Sequence, residues 1–293
     1  KKPLRERKSL GSGYGEVAYM GDRYQMDNDR LDMLQELINK FNQAKTPDQR
    51  AALDDIINYI VDDMRQVLLA PHKRMDIVDG DLRSDGKASV KVDDNPQGIE
   101  LLEMELPVHR ITPQVADKLN FVRYLMEKTV ELRTKFGMFV SMEMSRRTFI
   151  NSIIGSKDFG DFYKQSFDSK EVRLSAGLMS SEMATTIFRG LGLPPIVINE
   201  DLVELSDGTF KQVFKDNRIS LFTTPKQGKM RWHTPYEITD PVPGKTYTRS
   251  EGGMYISNIR TDEGRFMEYG AEWIPEFTSP NKIVIFDLDT MNA

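Results

Sequence analysis

From Asp27 onward the apolar residues fall into stripes with the period of a helix. Leu31, Leu34, Ile38 and Phe41 lie on one face of a first amphipathic segment. Thr46-Pro47-Asp48-Gln49 has the form of a helix start, with a Thr cap, Pro at the first helical position and Gln three residues on. The stripe that follows is Leu53, Ile56, Ile57, Ile60, Met64, Val67 and Leu68, and Pro71 is expected to stop it. A longer stripe runs from Thr112-Pro113 through Val115, Leu119, Val122, Met126, Val130, Leu132, Phe136, Phe139, Val140, Met142 and Ile150 to about Ile154, with Gly137 softening its middle. Read as one helix, its roughly 40 residues at a rise of 1.5 Å make a rod on the order of 60 Å, long enough to serve as a spine.

Other stretches have the period of strands. Between the turn signals Ser84-Asp85-Gly86 and Asn95-Pro96-Gln97-Gly98, Ala88, Val90 and Val92 alternate with Lys87, Ser89 and Lys91. Residues 72–107 thus read as a long polar hairpin, well above the usual loop length. The rest is mostly β. A strand is expected at Glu171–Leu174, a helix at Ser180–Arg189 ended by Gly190, and a strand at Pro195–Asn199. Hairpins follow across Ser206-Asp207-Gly208 and Asp262-Glu263-Gly264, with strands at Arg218–Thr223 and Lys282–Asp287. Residues 1–26 carry Gly11, Gly13, Gly15 and Gly21 without a regular period and read as an extended arm.

Composition narrows the function. The 293 residues are 39% hydrophobic and 29% charged, an ordinary globular balance. No apolar run approaches the ~20 residues of a membrane helix. The formal net charge of −5 does not favour a phosphate-gripping surface, and the dense basic cluster Lys1, Lys2, Arg5, Arg7 and Lys8 reads as a solvated tail. The chain has no cysteine, which removes disulfides, thiolate metal sites and a cysteine nucleophile. Its 3 histidines, His72, His109 and His233, are far apart in sequence.

Four fragments imitate catalytic motifs. Leu10–Val17 resembles a kinase phosphate loop, but its third glycine comes one position early and no Val-Ala-Ile-Lys strand follows. Asp158-Phe159-Gly160 matches the kinase metal-binding triplet without its His-Arg-Asp companion; Val108-His109-Arg110-Ile111 lacks the Asp. Val284–Thr290 imitates a haloacid-dehalogenase phosphatase motif, with Asp287 as nucleophile and Asp289 as Mg²⁺ ligand, but no further strands or carboxylates follow it in this sequence. Asp54, Asp55, Asp62 and Asp63 lie opposite the Ile stripe, where a solvated face is the simpler account. Trp232, Trp273, Tyr236, Tyr247, Tyr255 and Tyr269 read as core and interface packing rather than a nucleic-acid platform.

The order of parts, a basic arm, a long polar hairpin, a long spine helix and a β-rich half, resembles the Hong Kong 97-like capsid fold, an α+β class. Leu193–Thr224, with Lys215-Asp216-Asn217-Arg218-Ile219-Ser220-Leu221 before its closing strand, resembles the lambda-type major capsid protein E family of tailed bacteriophages. Arg265–Leu288, with Glu268-Tyr269-Gly270-Ala271 and the final Pro280–Leu288, is similar to it as well, as is Glu105-Leu106-Pro107 leading into the spine helix. The resemblance implies a division into an N-terminal arm (1–26), N-terminal helices (27–71), an extended loop (72–107), a peripheral domain with the spine helix (108–171), an axial domain (172–249) and C-terminal strands returning to the peripheral domain (250–293). It implies a shell subunit without a catalytic, cofactor or metal site, which forms hexamers and pentamers of an icosahedral head around double-stranded DNA. Portal and scaffolding or decoration proteins would be its other partners, the host cytoplasm its place of assembly and the virion its location. Arg83, Lys87, Lys91, Asp94 and Asn95 on the loop, and Arg5, Arg7 and Tyr14 on the arm, would touch neighbouring subunits. Two alternatives stay open: a metal-dependent phosphatase using Asp287 and Asp289, and a nanocompartment shell of the same fold.

Overall fold

A computed structural model of the chain describes residues 19–91, 100–167, 180–205, 208–262 and 264–292. Its strands are β1 (Tyr19–Met26), β2 (Lys87–Lys91), β3 (Glu100–Glu105), β4 (His109–Ile111), β5 (Ser141–Ser145), β6 (Ile196–Asn199), β7 (Leu202–Glu204), β8 (Phe210–Gln212), β9 (Arg218–Phe222), β10 (Gly228–His233), β11 (Thr246–Arg249), β12 (Tyr255–Thr261), β13 (Gly264–Phe277) and β14 (Val284–Asp287). The helices are α1 (Asn28–Gln43), α2 (Thr46–Asp85), α3 (Phe121–Phe136), α4 (Arg146–Thr148), α5 (Lys157–Phe167), α6 (Ser181–Gly190), α7 (Tyr236–Thr239) and α8 (Asp289–Asn292).

These elements make two bodies. In the first, a mixed sheet of order β4-β14-β9-β5-β6 is parallel at its outer pairs and antiparallel within. Residues of α3, α5 and α6 share its core: Phe121, Leu125, Phe159, Ile187 and Phe188 pack with Met142, Met144, Ile219, Leu221 and Phe286. Met142, Met144, Ile219, Leu221, Val284 and Phe286 make one face of the sheet apolar, and the alternate residues Glu143, Ser220 and Asp287 fall on the other. In the second, β1 and β12 flank β13, β11 extends β12, and β10 pairs with the far end of β13, all antiparallel. The C-terminal half of α2 lies on this sheet through Met75, Val78 and Leu82, against Met254, Met267, Tyr269 and Trp273.

The long rod exists, but it is α2, 40 residues at about 60 Å, rather than the segment 112–154. Pro71 does not stop the helix. It forfeits one backbone hydrogen bond, but it is the first buried position of the stripe Pro71, Met75, Val78, Leu82 that sinks onto the sheet, and that burial holds the helix together through it. The helix ends instead at Gly86, whose φ of 70° lets its N–H reach the Leu82 carbonyl at 2.9 Å. The expected hairpin therefore begins at Lys87, not at 72; β2 and β3 pair over Lys87–Lys91 and Glu100–Glu105. Thr46 is likewise the first helical residue and not the cap, which is Lys45.

The expected spine over Thr112–Ile154 is broken into pieces. A 3-10 turn at Val115–Asn120 leads into α3, and Gly137, at φ 94°, closes α3 with its N–H on the Arg133 carbonyl. The chain then becomes β5, and helical winding resumes at Arg146 and passes into a π-wound segment, Phe149–Ile154. Ser141-Met142-Glu143-Met144-Ser145 fits a period of two as well as a helical stripe, and the sheet decides between them. Further upstream, Tyr19–Met26 is no irregular arm but a strand paired along its whole length with Arg265–Glu272. Sheet membership also puts β10 and β11 with β12 and β13, so the stretch 172–249 is divided between the two bodies, and β14 lies between β4 and β9 in the mixed sheet rather than with its neighbours in sequence. The strand expected at Glu171–Leu174 lies outside the described residues.

Candidate functional site

The concentrated chemistry of the described residues lies where α2 meets the mixed sheet. Beside it, Gly80 lets α2 close on the segment between β8 and β9: a Cβ there would stand 2.3 Å from the Val213 carbonyl oxygen. Two charged sets flank that contact.

The inner set centres on Glu143 of β5, which is 5% exposed. Nη1 of Arg83, in the last turns of α2, lies 2.9 Å from both Glu143 oxygens, and the Asn199 amide donates to Oε1 at 3.0 Å. Arg83 Nε stands 2.8 Å from Asp79, and the Ser220 hydroxyl donates to the Arg83 carbonyl at 2.6 Å. Burial pushes the Glu143 carboxyl above its ordinary range, Arg83 and Asn199 pulling back only in part. Asp79 and Asp76 are raised too, again by burial first.

The outer set gathers around Asp85, the last residue of α2. Arg110 of β4 donates to Asp85 at 2.6 Å and to Asp287 at 2.8 Å. Lys215 reaches Asp85 at 2.9 Å and Asp81 at 3.7 Å, and Lys211 lies 3.5 Å from Asp81. Arg218 of β9 is shared by Asp287 at 2.8 Å and Asp289 at 2.7 Å, with Asp85 at 3.5 Å. Asn217, at φ 56°, turns the chain into β9 and donates its amide to Asp289 at 3.2 Å. Burial alone would raise Asp85, but hydrogen bonds from Lys215 and Arg110 outweigh it and hold the carboxyl below the usual range. The hydrogen bond from Arg218 lowers Asp289.

This accounts for the phosphatase-like motif. One oxygen of Asp287 faces Arg110 and the other Arg218, so the proposed nucleophile is held between two guanidinium groups. The kinase-like Asp158 has a structural task as well: its Oδ2 accepts the Arg123 backbone N–H at 2.7 Å, which caps α3 from outside the helix. Phe159 is wholly buried. Trp273 stacks edge-on with His72 at 4.7 Å, while Trp232 is exposed. Among the described residues no group of three or more His, Asp or Glu side chains is placed to hold a metal ion.

The expected contact residues scatter. Arg83 is on α2 and not on a loop, and its charge is engaged within the chain. Lys87 opens β2, exposed, with its ammonium 2.9 Å from Glu105 across the hairpin. Lys91 ends β2. Asp94 and Asn95, and Arg5, Arg7 and Tyr14, lie outside the described residues, as does the kinase-like loop Leu10–Val17. The joint itself was not foreseen: Arg110, Lys215 and Arg218 are signalled only as ordinary charges in or beside strands.

No protein-family model matches the chain, and no curated protein matches it. Among solved structures, it is similar to the protein assigned as the capsid protein of an Escherichia coli CFT073 prophage, with a TM-score of 0.57 and 16% identity over 93% of this chain and 77% of that one. Lesser likenesses are to the virus-like particle of Pyrococcus furiosus (TM-score 0.41, 8% identity, 94% of this chain and 79% of that one) and to Mycobacterium phage Che8 (TM-score 0.38, 10% identity, 92% and 70%). The chain thus has the α+β capsid fold that its sequence resembles.

Proposed function

We propose that the chain is the structural subunit of a tailed-phage head shell rather than an enzyme. The observation that carries this reading is the likeness of fold, over 93% of the chain, to the prophage capsid protein. In this reading copies of the chain associate through heterologous contacts that close by symmetry into hexamers and pentamers. The β2–β3 hairpin, with Lys87, Lys91, Asp94 and Asn95, reaches over one neighbour, and the arm with Arg5, Arg7 and Tyr14 reaches another. The body built on α2 takes the peripheral role and the mixed-sheet body the axial one. The net charge of −5 suits a wall that encloses DNA without gripping it. Portal and scaffolding or decoration proteins complete the head, which is assembled in the host cytoplasm and leaves as the virion.

Electron microscopy of the purified full-length protein tests the proposal. Closed icosahedral shells are expected; a compact monomer under every assembly condition overturns it. The contents of particles isolated from the native source separate a phage head, which holds DNA, from a nanocompartment, which holds a protein cargo. Replacing residues 92–99, which join β2 to β3, with two glycines is expected to leave a folded subunit that no longer assembles, and normal shells from that variant would reject the hairpin's role.

A further inference from the structure

We propose that the joint between the two bodies is a graded latch: mild acid frees α2 from β5 at Arg83 and Glu143 while the Asp85 cluster keeps its hold, so that the helix turns about its C-terminal end without leaving the mixed sheet.

The two sets of charges are balanced differently. In the outer set the four carboxylates of Asp81, Asp85, Asp287 and Asp289 meet the four cations of Arg110, Lys211, Lys215 and Arg218. Each of these carboxylates has a cation within salt-bridge distance, so proton uptake there forfeits an ion pair. In the inner set, Glu143 faces Arg83 and Asp79 of α2 and Asp201, which follows β6, whose Asn199 contributes a neutral amide; Asp76, earlier on α2, faces Asp79, Asp201 and Arg83. From β9 the side is uncharged, with the Ser220 hydroxyl bound to the Arg83 carbonyl. Three carboxylates, Glu143, Asp79 and Asp76, therefore draw on the Arg83 guanidinium, and His72 adds its influence at Asp76. Like charges that cannot all be neutralised take up a proton readily, and a buried carboxylate does so first. The raised affinities of Glu143 and Asp79 for protons agree with this, as do the lowered ones of Asp85 and Asp289.

Position decides what release does. Arg83 stands one helical turn or less before Asp85, so the inner tie and the outer cluster hold the same end of a rod of about 60 Å. Loss of the inner tie leaves the rod anchored at its tip, where a small rotation is carried far along its length. Met75 of the helix shares a cluster with Met254 and Met267 of the antiparallel body, side chains that re-seat easily. The latch belongs to the single chain and stands whether or not copies assemble.

The absence of cysteine makes the test direct. Spin labels at Asn58→Cys on α2 and Thr134→Cys on α3, in full-length chains diluted into unlabelled protein, report the angle of the rod to the mixed-sheet body. The distance distribution is expected to change as pH falls from neutral into the acid range. Glu143→Gln, which mimics the protonated carboxyl, is expected to give the acid distribution already at neutral pH. Asp79→Asn, which removes a like charge and leaves Arg83 to Glu143, is expected to lower the midpoint by about half a pH unit or more. His72→Asn is expected to leave the midpoint in place. A wild-type distribution unchanged across the window overturns the latch, and so does a Glu143→Gln variant that titrates like wild type. If Glu143→Gln does not fold, Asp79→Asn decides: a midpoint that stays put there, or one that follows His72 instead, rejects the proposal.

Discussion

The two bodies solve the problem of burial with different materials. The mixed-sheet body closes mainly around aromatic rings: Phe121, Phe149, Phe159, Phe188 and Phe286 are all fully buried in one core, with Met142, Met144 and Met291 between them. The antiparallel body and α2 close around Met20, Met75, Met254 and Met267, with Tyr269 and Trp273 as the large rings. Stiff rings packed at crystal-like density admit one arrangement. Methionines, unbranched and polarisable, fill a space in several ways at similar cost. The first body is therefore the reference frame of the molecule, and the second is the part whose helix can be re-seated against it.

The sharpest way to break this contrast is to open the rigid core. Phe286→Ala removes a wholly buried ring that packs edge-on to Tyr124 at 6.4 Å, and it is expected to cost about 3–5 kcal/mol, read by urea denaturation. A loss under about 1 kcal/mol would mean that this core adapts as readily as the methionine one.

The joint comes next in size. Arg83→Met keeps the aliphatic stem but strips Glu143 of its counter-charge, leaving the Asn199 amide, and is expected to cost about 3 kcal/mol at neutral pH. The sign with pH follows from burial. Glu143 already has a raised folded pKa, and the unpaired carboxyl of the variant is raised further, so the deficit is full above that pKa and shrinks as pH falls through it. Denaturation at two pH values checks it; a deficit that grows in acid would contradict the account. Gly80→Ala follows. Alanine is the better helix former by roughly 1 kcal/mol, yet its methyl would meet the Val213 carbonyl at 2.3 Å, so a net destabilisation of about 1–2 kcal/mol is expected in thermal melts. A stabilised variant would show that α2 can move off the Val213 segment at no cost.

Much of the β half was legible because its signals are local. The β12–β13 hairpin, β9, β14 and the Ser180-capped α6 stand within a residue or two of where turn residues and apolar runs put them, apart from β13, which continues to Phe277. The errors came where a local rule was overruled from a distance. Pro71 reads as a stop until the sheet beneath it is known. Met142 and Met144 fit a helix as well as a strand, and Gly137, a soft point by local pattern, is a terminus. Glycine-rich 1–26 hides β1, whose pairing with β13 joins segments more than two hundred residues apart. The joint could not be seen at all. Arg110 and Asp287 are 177 positions apart, and Arg83 and Glu143 are 60 apart, separations that leave no periodic trace. The carboxylates of the phosphatase-like motif were visible; the arginines that engage them were not.

The smallest effect expected tests whether the outer cluster is a hold or a decoration. Asp289 is largely exposed, yet its carboxylate takes the Arg218 guanidinium at 2.7 Å and the Asn217 amide at 3.2 Å. The Arg218 hydrogen bond lowers its pKa in the folded chain, so the stability it contributes is present above the ordinary aspartate value and is lost as pH falls through the lowered one. Exposure and salt screening keep that contribution small, about 0.5 kcal/mol. Asp289→Asn is therefore expected to cost about that much at neutral pH, with wild type and variant converging in strong acid, as urea midpoints across pH would record. Because Asp287 and Asp85 remain on Arg218, the variant leaves the helix anchored at Asp85, and the spin-label midpoint set by Glu143 is expected not to move. If it moves as far as in Asp79→Asn, the two charge sets act as one, and the contrast between a firm outer hold and a releasable inner tie fails.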